Sequence, residues 1–287
     1  MGNKLQRPKG KENDIVVSTR VRLARNLNDY PFPGRLTPSN EREIVDKVAA
    51  AMAASPIGNG LRLIELTPLG EVDRHVLMER HLISQELADG KGIRAVLLSQ
   101  DEGISIMINE EDHLRIQVIG SGLCLDECLK QAIEIDDILD HSLRYAFDDN
   151  LGYLTKCPTN LGTGMRASVM LHLPALTQSG AIRSLAANAG KLGFVVRGMF
   201  GEGSEAKGAL YQISNQMTLG FDEDTIIERL YDALRQIISH ERNYRNEAIK
   251  QLRLQVEDRV WRSAGTLSYA RSISTDEAMQ LLSDVRM

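Results

Sequence analysis

Apolar and polar side chains along the chain repeat with two different periods. The first two-residue repeat, IVVSTRVRLA from residue 15, predicts a β-strand with apolar side chains on one face and arginines on the other. Short apolar runs and turn residues predict further strands at 61–66, 93–99 and 166–173, a hairpin over 103–120, and a second hairpin around FGEGSEAKG at 200–208.

Longer repeats of three to four residues predict helices. Residues 123–147 carry the clearest apolar stripe. Other helices are predicted at about 38–54, 70–89 and 174–191, and from 222 to about 258. Ser274 or Thr275, placed before Glu277, predicts the N-cap of a last helix. Because few strand–helix–strand crossovers appear, we expect an α+β fold with an antiparallel β-sheet flanked by helices.

Composition narrows the class of protein. The 287 residues are 43% hydrophobic and 25% charged, which is typical of globular domains. A formal charge of −5 argues against a nucleic-acid or membrane-surface role. The three cysteines form no disulfide framework, and no secretory signal or long apolar span is recognisable, so we expect a reduced, cytoplasmic protein.

Arginines recur on the predicted strands. Any one of them alone is best interpreted as solvated or paired with a carboxylate. Together, on successive strands of one sheet, they favour a site for a polyanion such as a nucleoside triphosphate, because guanidinium groups match phosphate geometry. The five are Arg20, Arg22, Arg115, Arg166 and Arg197, and strand parity allows them to share one face.

Two acidic turns and one cysteine accompany these arginines. NEED (109–112) and GEGSE (201–205) each adjoin an arginine-bearing strand. Cys157 on its own is interpreted as a packing or loop residue, and Cys124 and Cys128 lie on the apolar stripe of a helix. No P-loop, dinucleotide fingerprint, protein-kinase motif or zinc-ligand spacing is present.

Several of these motifs together resemble the phosphagen kinases, the family of creatine and arginine kinases. CPTNLGT (157–163) resembles the family signature, and STRVRLARN (18–26), NEEDHLRIQ (109–117), RASVM (166–170) and RGMFGEGSEAKG (197–208) follow the family order. The resemblance spans about residues 15–245 and is strongest to the bacterial branch that phosphorylates arginine in proteins. It implies the phosphagen kinase catalytic fold, which is similar to that of glutamine synthetase.

The resemblance also implies roles for individual residues. Glu111 and Glu202 would hold the acceptor guanidinium, Glu111 as the base, with Cys157 beside it. ATP would bring Mg²⁺ with it, and no protein side chain is expected to bind the metal. The implied ATP contacts are Ser18, Thr19, Arg20, Val21, Arg22, His81, Arg115, Arg166, Ala167, Ser168, Val169, Met170, Arg197, Gly198, Met199, Phe200, Gly201 and Glu202.

Domain boundaries are inferred from the same resemblance. We expect a polar tail over 1–14, a catalytic domain over 15–245, and over 246–287 the start of a helical C-terminal domain. That last part lacks the Arg-Asp-x-x-Arg-Ala motif of the family and is interpreted as truncated. The first catalytic strand begins near Ile15, so we expect no helical N-terminal domain and an acceptor site open to a protein-borne arginine.

The implied biology is bacterial stress response and protein quality control. The expected partners are a heat-shock repressor and unfolded proteins as substrates, a zinc-binding activator and a Clp protease, with no nucleic acid or membrane. The resemblance leaves a homodimer open. Two alternatives also stay open: a kinase of a free small guanidino compound, and a catalytically silent adaptor that binds arginine or phosphoarginine.

Overall fold

A large antiparallel sheet forms the centre of the molecule, as predicted. In the computed structural model, which describes residues 10–198 and 207–287, eight strands lie in the order β2-β3-β4-β5-β1-β8-β10-β9, and each adjacent pair is antiparallel. Strands β6 and β7 form a separate hairpin. The strands are β1 (Val16–Arg25), β2 (Leu61–Glu65), β3 (Ala95–Ser99), β4 (Ile104–Ile108), β5 (Leu114–Ser121), β6 (Phe147–Asp148), β7 (Gly152–Tyr153), β8 (Met165–His172), β9 (Phe194–Gly198) and β10 (Leu210–Asn215).

Four of the helices begin at polar capping residues that are visible in the sequence. Thr37, Ser84, Asp222 and Ser274 each accept a hydrogen bond from a backbone N–H in the first turn that follows. Ser274 is therefore the cap of the last helix. The helices are α1 (Pro38–Ala53), α2 (Glu71–Glu79), α3 (Gln85–Asp89), α4 (Leu125–Ser142), α5 (Pro174–Gln178), α6 (Ile182–Lys191), α7 (Glu223–Tyr269) and α8 (Thr275–Arg286).

Four predicted helices have different limits in the structure. The helix expected over 123–147 is α4, which ends at Ser142. The helix expected over 70–89 is split into α2 and α3, because His81 takes a left-handed backbone conformation with φ 59°. The helix expected over 174–191 is split into α5 and α6 near Gly180, whose φ of 72° favours glycine. Helix α7 continues to Tyr269, about eleven residues beyond the prediction, with a break at Leu252.

One face of the sheet carries the main hydrophobic core. Apolar side chains such as Val21 and Leu23 of β1 are fully buried there together with Leu125 and Ile135 of α4. Burying apolar side chains on this scale supplies most of the driving force for folding. Helices α1, α5 and α7 add Val48, Leu176 and Leu230 to the same core, among others.

The opposite face of the sheet is covered only in part by apolar packing. A second, smaller cluster joins Leu66, Leu82 and Leu87 to Val96 and Met107, which belong to β3 and β4. This cluster places the α2–α3 segment over one end of the sheet. The neighbouring strands β5, β1, β8, β10 and β9 therefore present a polar surface beside it.

Candidate active site

The register of the sheet brings the five predicted arginines to that polar face. Arg22 of β1 pairs directly with Arg166 of β8, and Ala24, two residues on, pairs with Arg115 of β5. On the other side, Arg197 of β9 pairs with Gln212 of β10. Residues that pair directly across antiparallel strands project to the same face. The prediction that these side chains share one face is confirmed.

The charges of these arginines act strongly on one another. Burial, then the charges of Arg166 and Arg115, lower the pKa of Arg20 to about 10. Burial and the charges of Arg20, Arg115 and Arg166 also lower the pKa of Arg22 well below its ordinary value. Among the described residues, the Arg22 Nε finds no hydrogen-bond partner. A bound polyanion would relieve this repulsion and supply acceptors.

A cleft of about 370 Å³ lies where the arginine-bearing face meets the α2–α3 segment. Arg80 of its wall forms an ion pair with Glu102. The loss of surrounding water, then the charge of Arg20, lowers the pKa of His81, so its imidazole is neutral at pH 7. Five of the predicted ATP contacts line this cleft: Ser18, Arg20, His81, Ser168 and Met170.

Four other predicted ATP contacts have side chains on the opposite face of the sheet. Thr19, Val21, Ala167 and Val169 are each 0% exposed and lie under the helices. The Thr19 hydroxyl donates a hydrogen bond to the backbone oxygen of Gly122 at 2.6 Å. Their roles remain predictions, and the side chains are not part of the cleft wall. Gly198 ends β9, and the predicted residues Met199, Phe200, Gly201 and Glu202 lie outside the described residues.

The acidic turn between β4 and β5 holds Arg115 between two carboxylates. Arg115 Nη1 lies 2.6 Å from Glu110 Oε1, and Arg115 Nη2 lies 3.1 Å from Glu111 Oε2. The Glu110 side chain is fully enclosed and accepts a hydrogen bond from Ser84, whereas the Glu111 side chain is 33% exposed. Burial raises the pKa of Glu110 against the effect of Arg115. Glu111 is thus the carboxylate of this turn that a second molecule can reach.

The thiol loop, residues 155–164, lies directly against the acidic turn. Asp112 Oδ1 accepts a hydrogen bond from the backbone N–H of Lys156 at 2.7 Å. Glu111 and Cys157 are the immediate sequence neighbours of that pair, so this contact brings their loops together. Cys157 is partly exposed, and its Sγ lies 3.0 Å from Thr159 Oγ1.

Three residues that support this arrangement were not singled out from the sequence. Asn26 Nδ2 donates to Asp112 Oδ1 at 2.6 Å and to Leu154 O at 3.0 Å. Arg25 Nη1 donates to Thr163 O at 2.9 Å. Asp112 was noted only as the last letter of the acidic turn. A Cβ on Gly164, whose φ is 62°, would lie 2.6 Å from Ala24 O and from Arg25 Nη1, so the loop closes tightly on β1.

The comparisons with known proteins agree with this geometry. Residues 43–244 match the family described as "ATP:guanido phosphotransferase, C-terminal catalytic domain". The chain belongs to the ATP:guanido phosphotransferase family. Residues 253–287 match the description "Protein-arginine kinase McsB C-terminal domain". Members of this family are phosphotransferases with a guanidino acceptor, and the family implies ATP as the phosphoryl donor.

Protein-arginine kinases of two bacteria are similar to nearly the whole chain. The chain is 49% identical over 280 residues to a protein-arginine kinase of Brevibacillus brevis, covering 97% of this chain and 78% of that one. It is 50% identical over 284 residues to a protein-arginine kinase of Symbiobacterium thermophilum, covering 97% and 80%.

Among solved structures, the duplicated taurocyamine kinase of Schistosoma mansoni superposes with a TM-score of 0.71 at 29% identity, over 84% of this chain and 35% of that one. The present chain thus spans about a third of that duplicated protein. Lombricine kinase superposes with a TM-score of 0.71 at 24% identity, over 84% of this chain and 68% of that one, and it shares the fold. In the described part of the chain, no helix is both long and apolar enough to cross a bilayer.

Proposed function

We propose that this protein transfers the γ-phosphoryl group of ATP to arginine side chains of proteins. The observation that carries the proposal is the face on which five arginines lie together, bordered by the acidic turn and the thiol loop. The extent of the similarity supports a protein acceptor. Protein-arginine kinases match at 47–50% identity over nearly the whole chain, whereas a kinase of a small guanidino compound matches at 29%.

The arginines and the cleft would bind ATP. Arg20, Arg22, Arg115, Arg166 and Arg197 would hold the phosphate oxygens, with Mg²⁺ bound to the nucleotide and not to protein side chains. In phosphoryl transfer, charge spreads over the oxygens of the transferred group, so fixed positive groups stabilise the transition state. The crowded guanidinium charges on this face suit that role, because they are already assembled before the anion arrives.

The carboxylates would hold the acceptor. A guanidinium with a pKa above about 12 is a poor nucleophile until it is oriented and loses a proton. Glu111 is the accessible carboxylate beside Arg115, and we assign it as the base. Glu202 would orient the other side of the guanidinium. Glu110 is enclosed against Arg115 and would position that arginine without touching the acceptor.

The thiol of Cys157 would lie beside the acceptor nitrogen. Its loop is held to the acidic turn through Asp112 and Lys156, which supports this placement. A change of Cys157 to Ser or Ala is expected to lower turnover more than stability. Normal turnover in such a variant would show that the thiol has only a packing role.

Mass spectrometry of phosphorylated products tests the activity. The purified chain is incubated with Mg-ATP and an unfolded protein, with free arginine in a parallel reaction, and phosphate on arginine is mapped under conditions that preserve acid-labile bonds. Phosphoarginine on protein alone supports the proposal. Transfer only to free arginine would favour the small-guanidino kinase, and ATP binding without any transfer would favour the silent adaptor.

Substitution of Glu111 tests the catalytic assignment. Glu111→Gln is expected to lower turnover by about 10²-fold or more, the range for loss of a general base, while the Kd for ATP stays nearly unchanged. Glu134→Gln, an exposed change on α4, serves as the control. Full turnover by the Glu111 variant would contradict the assignment. Glu202→Gln is expected to behave like Glu111→Gln.

The wider biological context is a further part of the proposal. A heat-shock repressor as substrate, a zinc-binding activator, a Clp protease and a role in stress response remain predictions of the family resemblance. The same holds for a homodimer and for the domain boundaries at 14/15 and 245/246. Helix α7 runs through the second boundary and breaks at Leu252, seven residues later.

A further inference from the structure

Two cysteines outside the candidate active site lie side by side where β5 leads into α4. Cys124 immediately precedes the first turn of α4, and Cys128 lies one turn further along. Their Sγ atoms are 3.7 Å apart. Cys128 is only 3% exposed, whereas Cys124 is partly exposed. A reagent in solution therefore meets the sulfur of Cys124 first.

The strand beneath the two sulfurs provides the space for them. Gly120 of β5 lies under both sulfurs, and a Cβ at this position would overlap Cys124 Sγ and come within 3.1 Å of Cys128 Sγ. Cys124 itself has φ −147° and ψ 51°, which is not helical geometry. Its backbone is thus free of the helical conformation and can shift towards Cys128 more easily than a residue inside α4.

The two thiols differ in chemical character. The hydrogen bond from Cys128 lowers the pKa of Cys124 to about 7, against burial, which raises it. The bond to Cys124, then burial, raises the pKa of Cys128. Near neutral pH, a substantial fraction of Cys124 is therefore thiolate, while Cys128 keeps its proton. An accessible thiolate next to a second thiol is the arrangement of cysteines that respond to oxidants.

We propose that Cys124 and Cys128 form an oxidation site, at which a hydroperoxide converts the two thiols to an intramolecular disulfide. The Cys124 thiolate attacks one peroxide oxygen, which forms a sulfenic acid and releases hydroxide or alkoxide. That base takes the proton of Cys128, and the resulting thiolate attacks the sulfur of Cys124. The S–S bond forms as the hydroxyl group leaves, and proton transfer completes the release of water. Two thiols are oxidised by two electrons, and one peroxide is reduced.

This site is separate from the phosphate-binding face. The cysteines pack under the sheet with α4, while the five arginines project from its other side. Thr19, the neighbour of Arg20 on β1, links the cysteine pair to the arginine-bearing strand, because its Oγ1 accepts a hydrogen bond from the Cys124 backbone N–H at 3.2 Å. The inference therefore stands or fails independently of the proposed function.

Mass spectrometry after peroxide treatment tests the inference. The full chain is treated with hydrogen peroxide, quenched, alkylated with iodoacetamide and digested. We expect a peptide in which Cys124 and Cys128 are joined, with the loss of two hydrogen atoms and protection of both thiols from alkylation. Dithiothreitol should restore both thiols. The same bridge is expected in a Cys157→Ser background, which removes the third cysteine as an alternative partner.

Two single variants separate the roles of the pair. With Cys128→Ser, the sulfenic acid cannot be resolved, so dimedone should label Cys124 during oxidation. With Cys124→Ser, dimedone should leave Cys128 unlabelled. Three results would overturn the inference. In the wild type, these are two thiols that stay reduced in excess peroxide, or a bridge from either of them to Cys157. In the Cys128→Ser variant, it is the absence of dimedone on Cys124. The wild-type measurement decides the question by itself if a variant fails to fold.

Discussion

Arg22 and Arg25 lie three residues apart on the same strand and have opposite surroundings. Arg25 projects into the core, where it is 2% exposed and its Nη2 lies 2.6 Å from Asp136 Oδ2. Its guanidinium also stacks 3.4 Å from the centre of the Tyr153 ring. Arg22 projects to the other face, beside Arg20 and Arg166, and burial and these like charges lower its pKa.

The difference distinguishes a structural arginine from a ligand-binding one. A buried cation with a matched carboxylate is satisfied within the protein. Removing either partner leaves the other as a buried, unpaired charge, which destabilises the fold. Cations that are crowded together on one face repel one another, and a bound anion reduces that repulsion. Arg245 repeats the first case, with Glu241 Oε1 at 2.7 Å and His172 O at 2.9 Å. Substitutions can therefore be expected to change either stability or binding, depending on the class.

The largest effect is expected from breaking the Arg25 pair. Asp136→Asn leaves the Arg25 cation buried without its carboxylate and should lower the free energy of unfolding by about 3–5 kcal/mol. Urea unfolding followed by circular dichroism measures this. Asp137→Asn, on the exposed side of the same helix turn, is the matched control. Equal stability of the two variants would contradict the distinction between structural and ligand-binding arginines.

A binding effect without a stability effect is expected at Arg22. Arg22→Gln should raise the Kd for ATP about 30-fold, which corresponds to ~2 kcal/mol, the size of a hydrogen bond to a charged group. Its free energy of unfolding should not fall, because the change relieves repulsion among the arginines. Isothermal titration calorimetry and urea unfolding test the two parts. Arg62→Gln on β2 is an exposed control. If Arg22→Gln lowered the free energy of unfolding and Arg62→Gln did not, Arg22 would be a structural arginine like Arg25.

A smaller effect is expected from pH, through the Arg245 cluster. Burial and the charges of Arg245 and Arg286 lower the pKa of His172 to about 3. The unfolded chain therefore binds a proton below about pH 6.5 that the folded chain does not, so stability is complete above that pH and falls towards pH 3. At pH 5.5 the contribution of His172 to the loss should be about 1.4 kcal/mol.

Unfolding at pH 7.5 and pH 5.5 isolates this contribution. His172→Gln keeps an amide near Ser283, whose Oγ lies 2.8 Å from His172 Nε2, and should lose less stability on acidification than the wild type does. His141→Gln, an exposed change at the end of α4, should leave the pH dependence as it is. An unchanged pH dependence in the His172 variant would contradict the assignment.

The smallest effect is expected where an arginine and its carboxylate are both in water. Arg253 Nε lies 2.7 Å from Glu257 Oε1 on the exposed side of α7. Solvent and salt screen such a pair, so Arg253→Gln should leave the melting temperature unchanged within error. A clear loss of stability would show that pairing, and not burial, distinguishes Arg25 from Arg22.

Local pattern predicted more of the fold than it did of the site. Strand parity was sufficient to place Arg20 and Arg22 on one face, because alternation is a property of every β-strand. The breaks at His81 and Gly180 were missed, because apolar spacing continues across them. The Ser84 cap and the Ser179-Gly180 turn were the signals that could have shown them.

The sequence by itself determined which residue types are present, the periods that make the strands and helices, and the arginine-rich side of β1. These depend on local geometry, which repeats every two or 3.6 residues. Only the tertiary structure decided that Arg25 pairs with Asp136, 111 residues away, and that Asp112 joins the acidic turn to the thiol loop. It also decided which carboxylate, Glu110 or Glu111, is enclosed. Burial and pairing depend on neighbours that are distant in the chain, and no local period encodes them.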